Sequence, residues 1–268
     1  LIRIVLNKKI IFVYIFFNFF IIVIFMTISA LIVARNEEKK IEKCLSSLNF
    51  VDEIVVILDR STDKTFKICK PFTNKIFTGE WTCEGERRNF GIEKCSSEWI
   101  FEIDADEIIS KDLAREVKKK IRSHKFDYFY IPLMNHIYSK PIKYGWMACL
   151  APDGKFCVFK KKNKHWHTGL VHPSYSLKGE KGPMFENYIN HFMSKDISEL
   201  LARFNRNSSL YALELKKTNK NLKKYFSLRK IFSRFIKSFF LRKGYKEGKM
   251  GLLICILNAV YPMVSAIK

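Results

Sequence analysis

Residues Ile28-Ser29-Ala30-Leu31-Ile32-Val33-Ala34 form a nearly unbroken apolar run of strand length, and the run stops abruptly at Arg35-Asn36-Glu37-Glu38. A strand that is apolar at successive positions is buried on both faces, as happens when helices cover both sides of a parallel sheet. The unit then repeats. A helical pattern places Ile41, Cys44, Leu45 and Leu48 on one face, and Glu53-Ile54-Val55-Val56-Ile57-Leu58 reads as a second strand. Asp59-Arg60-Ser61-Thr62-Asp63 turns the chain, with Ser61, Thr62 or Asp63 placed to cap the next helix. Lys75-Ile76-Phe77 predicts a short third strand, Cys83–Lys94 a helix and Glu98–Ile103 a fourth strand. Lys111–Arg122 predicts a helix with Leu113, Val117 and Ile121 inward, followed by a strand over Asp127–Leu133. This alternation predicts an α/β protein with a Rossmann-like, doubly wound, mostly parallel sheet.

In such sheets ligands bind outside the carboxyl ends of the strands. The polar clusters 35–38, 59–63 and 104–107 each follow a strand directly, so all three are predicted on one rim. The last belongs to Ile100-Phe101-Glu102-Ile103-Asp104-Ala105-Asp106-Glu107, an alternating stretch that ends in carboxylates. If the extended backbone continues, Asp104 and Asp106 point to one face. Two carboxylates there repel unless a cation lies between them. Mg²⁺ or Mn²⁺ is the expected partner, because such ions take oxygen ligands and complete their shells with phosphate oxygens and water. A nucleotide diphosphate is the ligand this implies. Taken alone, Asp-x-Asp is equally well explained as a solvated acidic turn before a helix near Ser110; its two companion clusters favour the site.

The chain of 268 residues, 48% of them hydrophobic, is large enough for one substantial domain with an appendage. Its net charge of +22 points to a polyanionic partner: nucleic acid, an anionic membrane or a phosphorylated substrate. No nucleic-acid-binding motif is present, and the basic residues lie mostly in the C-terminal half, so nucleic acid is not expected. Salt-dependent DNA binding without nucleotide binding is the result that would favour it. Seven cysteines, scattered and never spaced Cys-x-x-Cys, imply neither a disulfide framework nor a zinc site and fit a reducing cytosol.

Residues 1–25 read as an apolar extension, with Ile10–Phe25 almost entirely Ile, Phe and Val. A signal anchor is one reading. The other, slightly favoured because Met26 directly precedes the first strand, is translated upstream sequence. Residues 26–195 are then the main domain, and 196–268 a basic, helical C-terminal region. Within the main domain, the aromatic-rich segment 141–173 reads as a lobe covering the rim, its aromatics being core or sugar-facing. In the C-terminal region, Ile197–Leu215 is an amphipathic helix, and basic residues from Lys216 to Lys249 interleave with Phe232, Phe235, Phe239 and Phe240. A basic segment with an aromatic face reads as a membrane-surface element. Gly251–Ile267 is a further apolar stretch.

Taken together, these motifs resemble a family. Ala34-Arg35-Asn36-Glu37-Glu38, Asp59-Arg60-Ser61-Thr62-Asp63, Arg88-Asn89-Phe90-Gly91 and Asp104-Ala105-Asp106-Glu107 come first. Tyr144-Gly145-Trp146, Pro152-Asp153, Val171-His172, Gly182-Pro183, His191, Asn205-Arg206 and Gly244-Tyr245-Lys246-Glu247-Gly248 follow. In this order they resemble the inverting family 2 glycosyltransferases of GT-A fold, and more narrowly the bacterial lipopolysaccharide-core glucosyltransferase group. The resemblance covers nearly everything beyond residue 25. It implies that Glu38 and Asp59 contact the nucleoside of a UDP-sugar and that Arg35 belongs to the same donor-binding set. Arg88 would face its phosphates, Asp104 the ribose or metal side, and Asp106 the metal on the diphosphate. It implies transfer of a hexose, glucose above all, to a lipopolysaccharide-core or other lipid-linked acceptor at the cytoplasmic face of the membrane. Inverting transfer is a direct displacement, with a metal on the leaving diphosphate and a carboxylate or imidazole taking the acceptor proton.

Three positions depart from the group. Pro173 replaces a Glu after Val171-His172, Cys157 replaces an Arg downstream of Pro152-Asp153, and Arg60 stands where a small residue is usual. The base is therefore expected to be Asp153, with His172 second. The alternatives are a glycosyltransferase for another cell-surface glycan and a catalytically impaired, sugar-nucleotide-binding relative.

Overall fold

The computed structural model describes residues 26–168, 173–217 and 222–268; the apolar extension 1–25 and His172 lie outside them. The predicted alternation is present. Strand β1 (Ile28–Ala34) is buried at every position but Val33. Helix α1 (Ile41–Ser46) follows, and Ile41, Cys44, Leu45 and Leu48 all turn into the core. Then come β2 (Glu53–Asp59), α2 (Thr65–Cys69), β3 (Ile76–Gly79), α3 (Glu84–Lys94) and β4 (Trp99–Asp104). After the short β5 (Glu107–Ile108), helix α4 (Lys111–Ile121) starts at Ser110, whose hydroxyl accepts the Leu113 N–H as an N-cap should.

Strands β3, β2, β1 and β4 lie side by side and parallel. Beyond β4 the sheet becomes mixed. Strand β8 (Gly154–Lys160) pairs antiparallel with β4 and with β6 (Tyr128–Ile137), and β6 pairs parallel with β11 (Ile189–Ser194). Strand β7 (Lys140–Ile142) folds back on β6, and β5 closes the edge of the sheet against β11. A separate hairpin joins β9 (Lys164–Trp166) and β10 (Tyr175–Leu177).

The expected covering lobe is thus partly core. Cys157, Val158 and Phe159 of β8 are fully buried in the middle of the sheet, and Trp146 is buried with its indole N–H on the Ile142 carbonyl, 2.8 Å away. An apolar Cys157 suits that interior. Trp99, Phe101 and Phe129 are the largest fully buried side chains in the main core, and truncating one to Ala removes about 3–5 kcal/mol.

The C-terminal helices are α5 (Ile197–Lys217), α6 (Leu228–Ile236), a π-helical turn at Lys237–Leu241 and α7 (Gly248–Ile267). Helix α7 with its leading turn, Gly244–Ile267, is long and apolar enough to cross a membrane by length and composition. In this structure it is a packing helix. Ile254, Leu257 and Tyr261 share a second core with Ile137, Ile142, Trp146, Met193 and Leu200. Two motifs a hundred residues apart meet here. Gly145, at φ +84°, has no room for a side chain, because a Cβ would stand 3.1 Å from the Cα of Gly244. Glu247 Oε1 accepts the backbone N–H groups of Lys143 and Tyr144 at 2.8 and 3.1 Å.

Candidate active site

The loops after β1 and β2 are stitched together by side chains that bond the opposite backbone. Asn36, in the left-handed region at φ +55°, accepts the Thr62 N–H on Oδ1 at 2.8 Å. The Glu37 N–H donates to Thr65 Oγ1 at 2.9 Å and the Glu38 N–H to Asp63 Oδ2 at 3.0 Å, while Glu38 Oε2 accepts the Lys64 N–H at 3.1 Å. Asp63, one of the three predicted caps, also accepts the Thr65 N–H at 3.0 Å. Glu38 therefore braces this rim, and Arg35 stands exposed outside it.

Asp59, at the end of β2, is buried among cations. The Arg60 fork donates to Oδ1 and Oδ2 at 2.9 and 3.0 Å, and Arg87 donates to Oδ2 at 2.8 Å. Burial pushes this carboxyl up, but Arg60, the Trp81 N–H and Arg87 outweigh it and hold it below the usual range.

The acidic stretch does not stay extended. Strand β4 ends at Asp104, and Ala105-Asp106 form a tight turn into β5. The two carboxylates consequently have different partners. Arg88 donates to Asp104 Oδ1 at 3.0 Å and Lys155 to Oδ2 at 2.9 Å. Lys155 also donates to buried Glu107 at 2.6 Å, and Glu107 accepts the Asp104 N–H at 2.9 Å. Burial pushes Asp104 up, and Lys155 with Arg88 overcomes it, so Asp104 is held well below the carboxylate range. Burial pushes Glu107 up as well, and there it prevails over Lys155.

Asp106 Oδ2 accepts from Arg203 of α5 at 2.8 Å and lies 3.4 Å from His191 Nε2. Burial raises this carboxyl, but His191 and Arg203 lower it further, so it too stays ionised. The other ring nitrogen of His191 is 2.7 Å from Asn135 Oδ1, and the Asn135 amide donates to the Pro152 carbonyl at 3.3 Å. That bond orients the Asn135 oxygen toward the ring. Nδ1 therefore carries a proton, and Nε2 is the nitrogen presented to Asp106. Glu37 completes the cluster; burial and the Asp106 charge raise its pKa against Lys40, Arg203 and Arg206.

A buried ion pair anchors the β9–β10 hairpin beside these groups. Lys164 bonds Glu102, each 2% exposed, and its ammonium lies 4.2 Å from the Trp166 ring and 4.5 Å from that of Tyr175. Trp166 donates its indole N–H to Glu102 at 2.7 Å and stacks under the Arg88 guanidinium at 5.0 Å. The hairpin thereby fixes Arg88 toward Asp104.

The structure thus places Asp59, Arg88, Asp104 and Asp106 along the carboxyl edge, while Glu38, expected to contact the nucleoside, bonds Asp63 and the Lys64 N–H. Asp153, at the start of β8, is more than half exposed and paired to Arg242 at 2.7 Å. His172 lies outside the described residues. Sequence reasoning gave no role to Lys155, His191 or Arg203. Lys155 had a readable signal, since two residues after Asp153 in a strand it shares that residue's side. Arg203 had none beyond its place on an amphipathic helix.

Among the described residues no three His, Cys, Asp or Glu side chains converge as a metal site. A carboxylate and an imidazole do converge, with the imidazole oriented by Asn135, which is the arrangement of metal-ligating histidines. Asp106 and His191 therefore fit a Mg²⁺ or Mn²⁺ ion that takes its remaining ligands from phosphate and water.

The family model described as Glycosyl transferase family 2 matches residues 29–176. An uncharacterized glycosyltransferase of Rickettsia felis is 28% identical over 241 residues, spanning 87% of this chain and 85% of that one. The lipopolysaccharide core biosynthesis glycosyltransferase LpsC of Rhizobium meliloti is 24% identical over 253 residues, spanning 91% and 92%. Among solved structures, S. aureus TarS 1-349 in complex with UDP aligns over 90% of each chain with 15% identity and a TM-score of 0.48.

Proposed function

Because the chain belongs to glycosyl transferase family 2, we propose that this glycosyltransferase moves a hexose, glucose first among the candidates, from a UDP-sugar to a lipopolysaccharide-core or other lipid-linked glycan. The observation that carries the donor reading is the cluster at the carboxyl edge. Asp104 and Asp106 are held ionised there by Lys155, Arg88, Arg203 and His191. Three protein cations and the His191 imidazole around two carboxylates make a site in which the charge of a diphosphate is compensated. The similarity to LpsC, named for lipopolysaccharide core biosynthesis, supports the acceptor class.

Asp106 and His191 would hold the Mg²⁺ or Mn²⁺ ion, which stabilises negative charge on the departing diphosphate. The chain's own groups do the rest. Arg88, fixed by Glu84, Asp104 and the Trp166 ring, presents cationic charge to the phosphates. Asp59 lies at the far end of the rim, where the nucleoside would sit, and Arg60 must turn from it to expose its oxygens. Asp153 is the general base: its carboxylate is exposed, paired to Arg242, and accepts the proton of the attacking hydroxyl. His172 is the second choice.

The test is a panel of UDP-sugars incubated with and without Mn²⁺, read by release of UDP and by transfer to truncated lipopolysaccharide cores. Metal-dependent turnover of one donor with a core acceptor supports the reading. Turnover with non-UDP donors alone would replace it, and UDP binding without turnover would favour an impaired relative.

A further inference from the structure

The C-terminal helices present an apolar row that the fold leaves uncovered. Leu228, Phe232, Ile236 and Phe240 follow one another at intervals of four, so they line one side of α6 and its π-helical extension. Leu228 is 80% exposed, Phe232 65%, Phe240 54% and the adjoining Leu241 74%. Such side chains exposed together on one surface mark an interaction site. The neighbouring row is cationic. Arg229, Lys230, Lys237 and Lys243 are all exposed, and residues 226–246 contain no acid.

The structure also separates cations that belong to the fold from those that do not. Arg234 donates to the Asn258 carbonyl at 3.0 Å, and Arg242 to the Trp146 carbonyl and to Asp153, both at 2.7 Å. These two lock α6 and its extension to the body. A stack of Phe235 on Phe239, 5.3 Å apart, stiffens the same segment. What remains is a rigid, salt-responsive surface: exposed apolar side chains to insert and a uniform positive border to attract.

We infer that this face docks on an anionic lipid surface. The excess of positive charge decides the occupant, since a second copy of the chain would bring the same cations against it, whereas acidic headgroups complement them. Arg242 lies next to Leu241 and holds Asp153, so docking would set the rim bearing Asp153 close to the bilayer. The inference stands on this surface alone and does not depend on the donor or acceptor.

The full chain is tested by co-sedimentation with vesicles of phosphatidylcholine alone and of phosphatidylcholine mixed with phosphatidylglycerol, and by hydrogen–deuterium exchange with and without each. Preferential, salt-weakened binding to the anionic vesicles is expected, with protection in peptides covering 228–243. The quadruple variant Arg229→Glu, Lys230→Glu, Lys237→Glu, Lys243→Glu should bind anionic vesicles about 100-fold more weakly or worse. Phe232→Ser with Leu241→Ser should lose the part of binding that persists in high salt. Every variant retains residues 1–25, so differences among them report this face. Unprotected 228–243 peptides, equal binding by the reversed variant, or a wild-type dimer abolished by the two serines would each overturn the inference.

Discussion

The ammonium of Lys155 lies 2.9 Å from Oδ2 of Asp104. Since Arg88 takes Oδ1 at 3.0 Å, both oxygens of this carboxylate are engaged by protein cations. Asp106, two residues on and indistinguishable from it in a motif, instead accepts from Arg203 at 2.8 Å and lies 3.4 Å from His191 Nε2. The tight turn at Ala105-Asp106 causes this division. Asp104 pairs with Arg88 and Lys155, and Asp106 with Arg203 and the His191 imidazole.

Lys155 also neutralises Glu107, which is 1% exposed. Replacing Lys155 with Met strands that carboxylate, and removing one partner of a buried pair costs about 3–5 kcal/mol. Urea unfolding should register this loss, and adding Glu107→Gln should restore a large part of it. A loss below about 1 kcal/mol, the value of a surface bridge, would mean the cluster is effectively solvated.

For the metal, Asp106→Ala should eliminate Mn²⁺-dependent UDP binding; because the carboxylate also pairs with Arg203, the unfolding midpoint should fall while the protein remains folded. Asn135→Ala, which frees the His191 ring and also removes the bond to the Pro152 carbonyl, should weaken Mn²⁺ binding about 10–100-fold. Titration calorimetry with and without the metal separates these from changes in UDP affinity itself. Metal-dependent affinity that survives in Asp106→Ala would remove this residue from the site.

The parallel half of the sheet was legible because strands buried on both faces announce themselves as apolar runs, and each ended in a polar cluster. The antiparallel insertion was not. In β8, Lys155 and Cys157 share one side of the strand, so the run reads as part of a covering lobe although it lies mid-sheet. Asp59, Arg88, Asp104 and Asp106 were legible from position after a strand or within a motif. His191, Lys155 and Arg203 act from distant elements, and only pairing of β11 with β6, or packing of α5, brings them to the rim.

Acid should unlock the opposite end of the sheet. Glu53, at the start of β2, accepts from Lys75, Ser29 and the Ser96 N–H and hydroxyl. Burial raises its carboxyl, but these donors win and bring it from 4.5 down to about 2. A pKa lowered by folding stabilises fully above the unfolded value and is lost as pH falls toward the folded one. Glu53→Gln should therefore cost up to about 3 kcal/mol at neutral pH, less any screening, with the difference from wild type closing between pH 4.5 and about 2. Parallel stability curves for the two proteins across that window would contradict the assignment.

The last prediction concerns Asp153. Its carboxylate is exposed and its backbone is pinned, since the Asp153 carbonyl accepts the Leu133 N–H at 2.9 Å. Among the described residues its ion-pair partner is Arg242, which reaches it from the C-terminal region. A base so held can turn to an arriving hydroxyl without moving the sheet. Asp153→Asn keeps the shape and removes the basicity, so kcat should fall about 10²–10⁴-fold while UDP affinity stays level. Asp153→Glu should recover part of the rate, and the acid limb of the kcat/KM profile should vanish in the Asn variant. Arg242→Met loosens the carboxylate without removing it, so its defect should be smaller and lie in acceptor KM. Near wild-type turnover by Asp153→Asn would pass the role to His172.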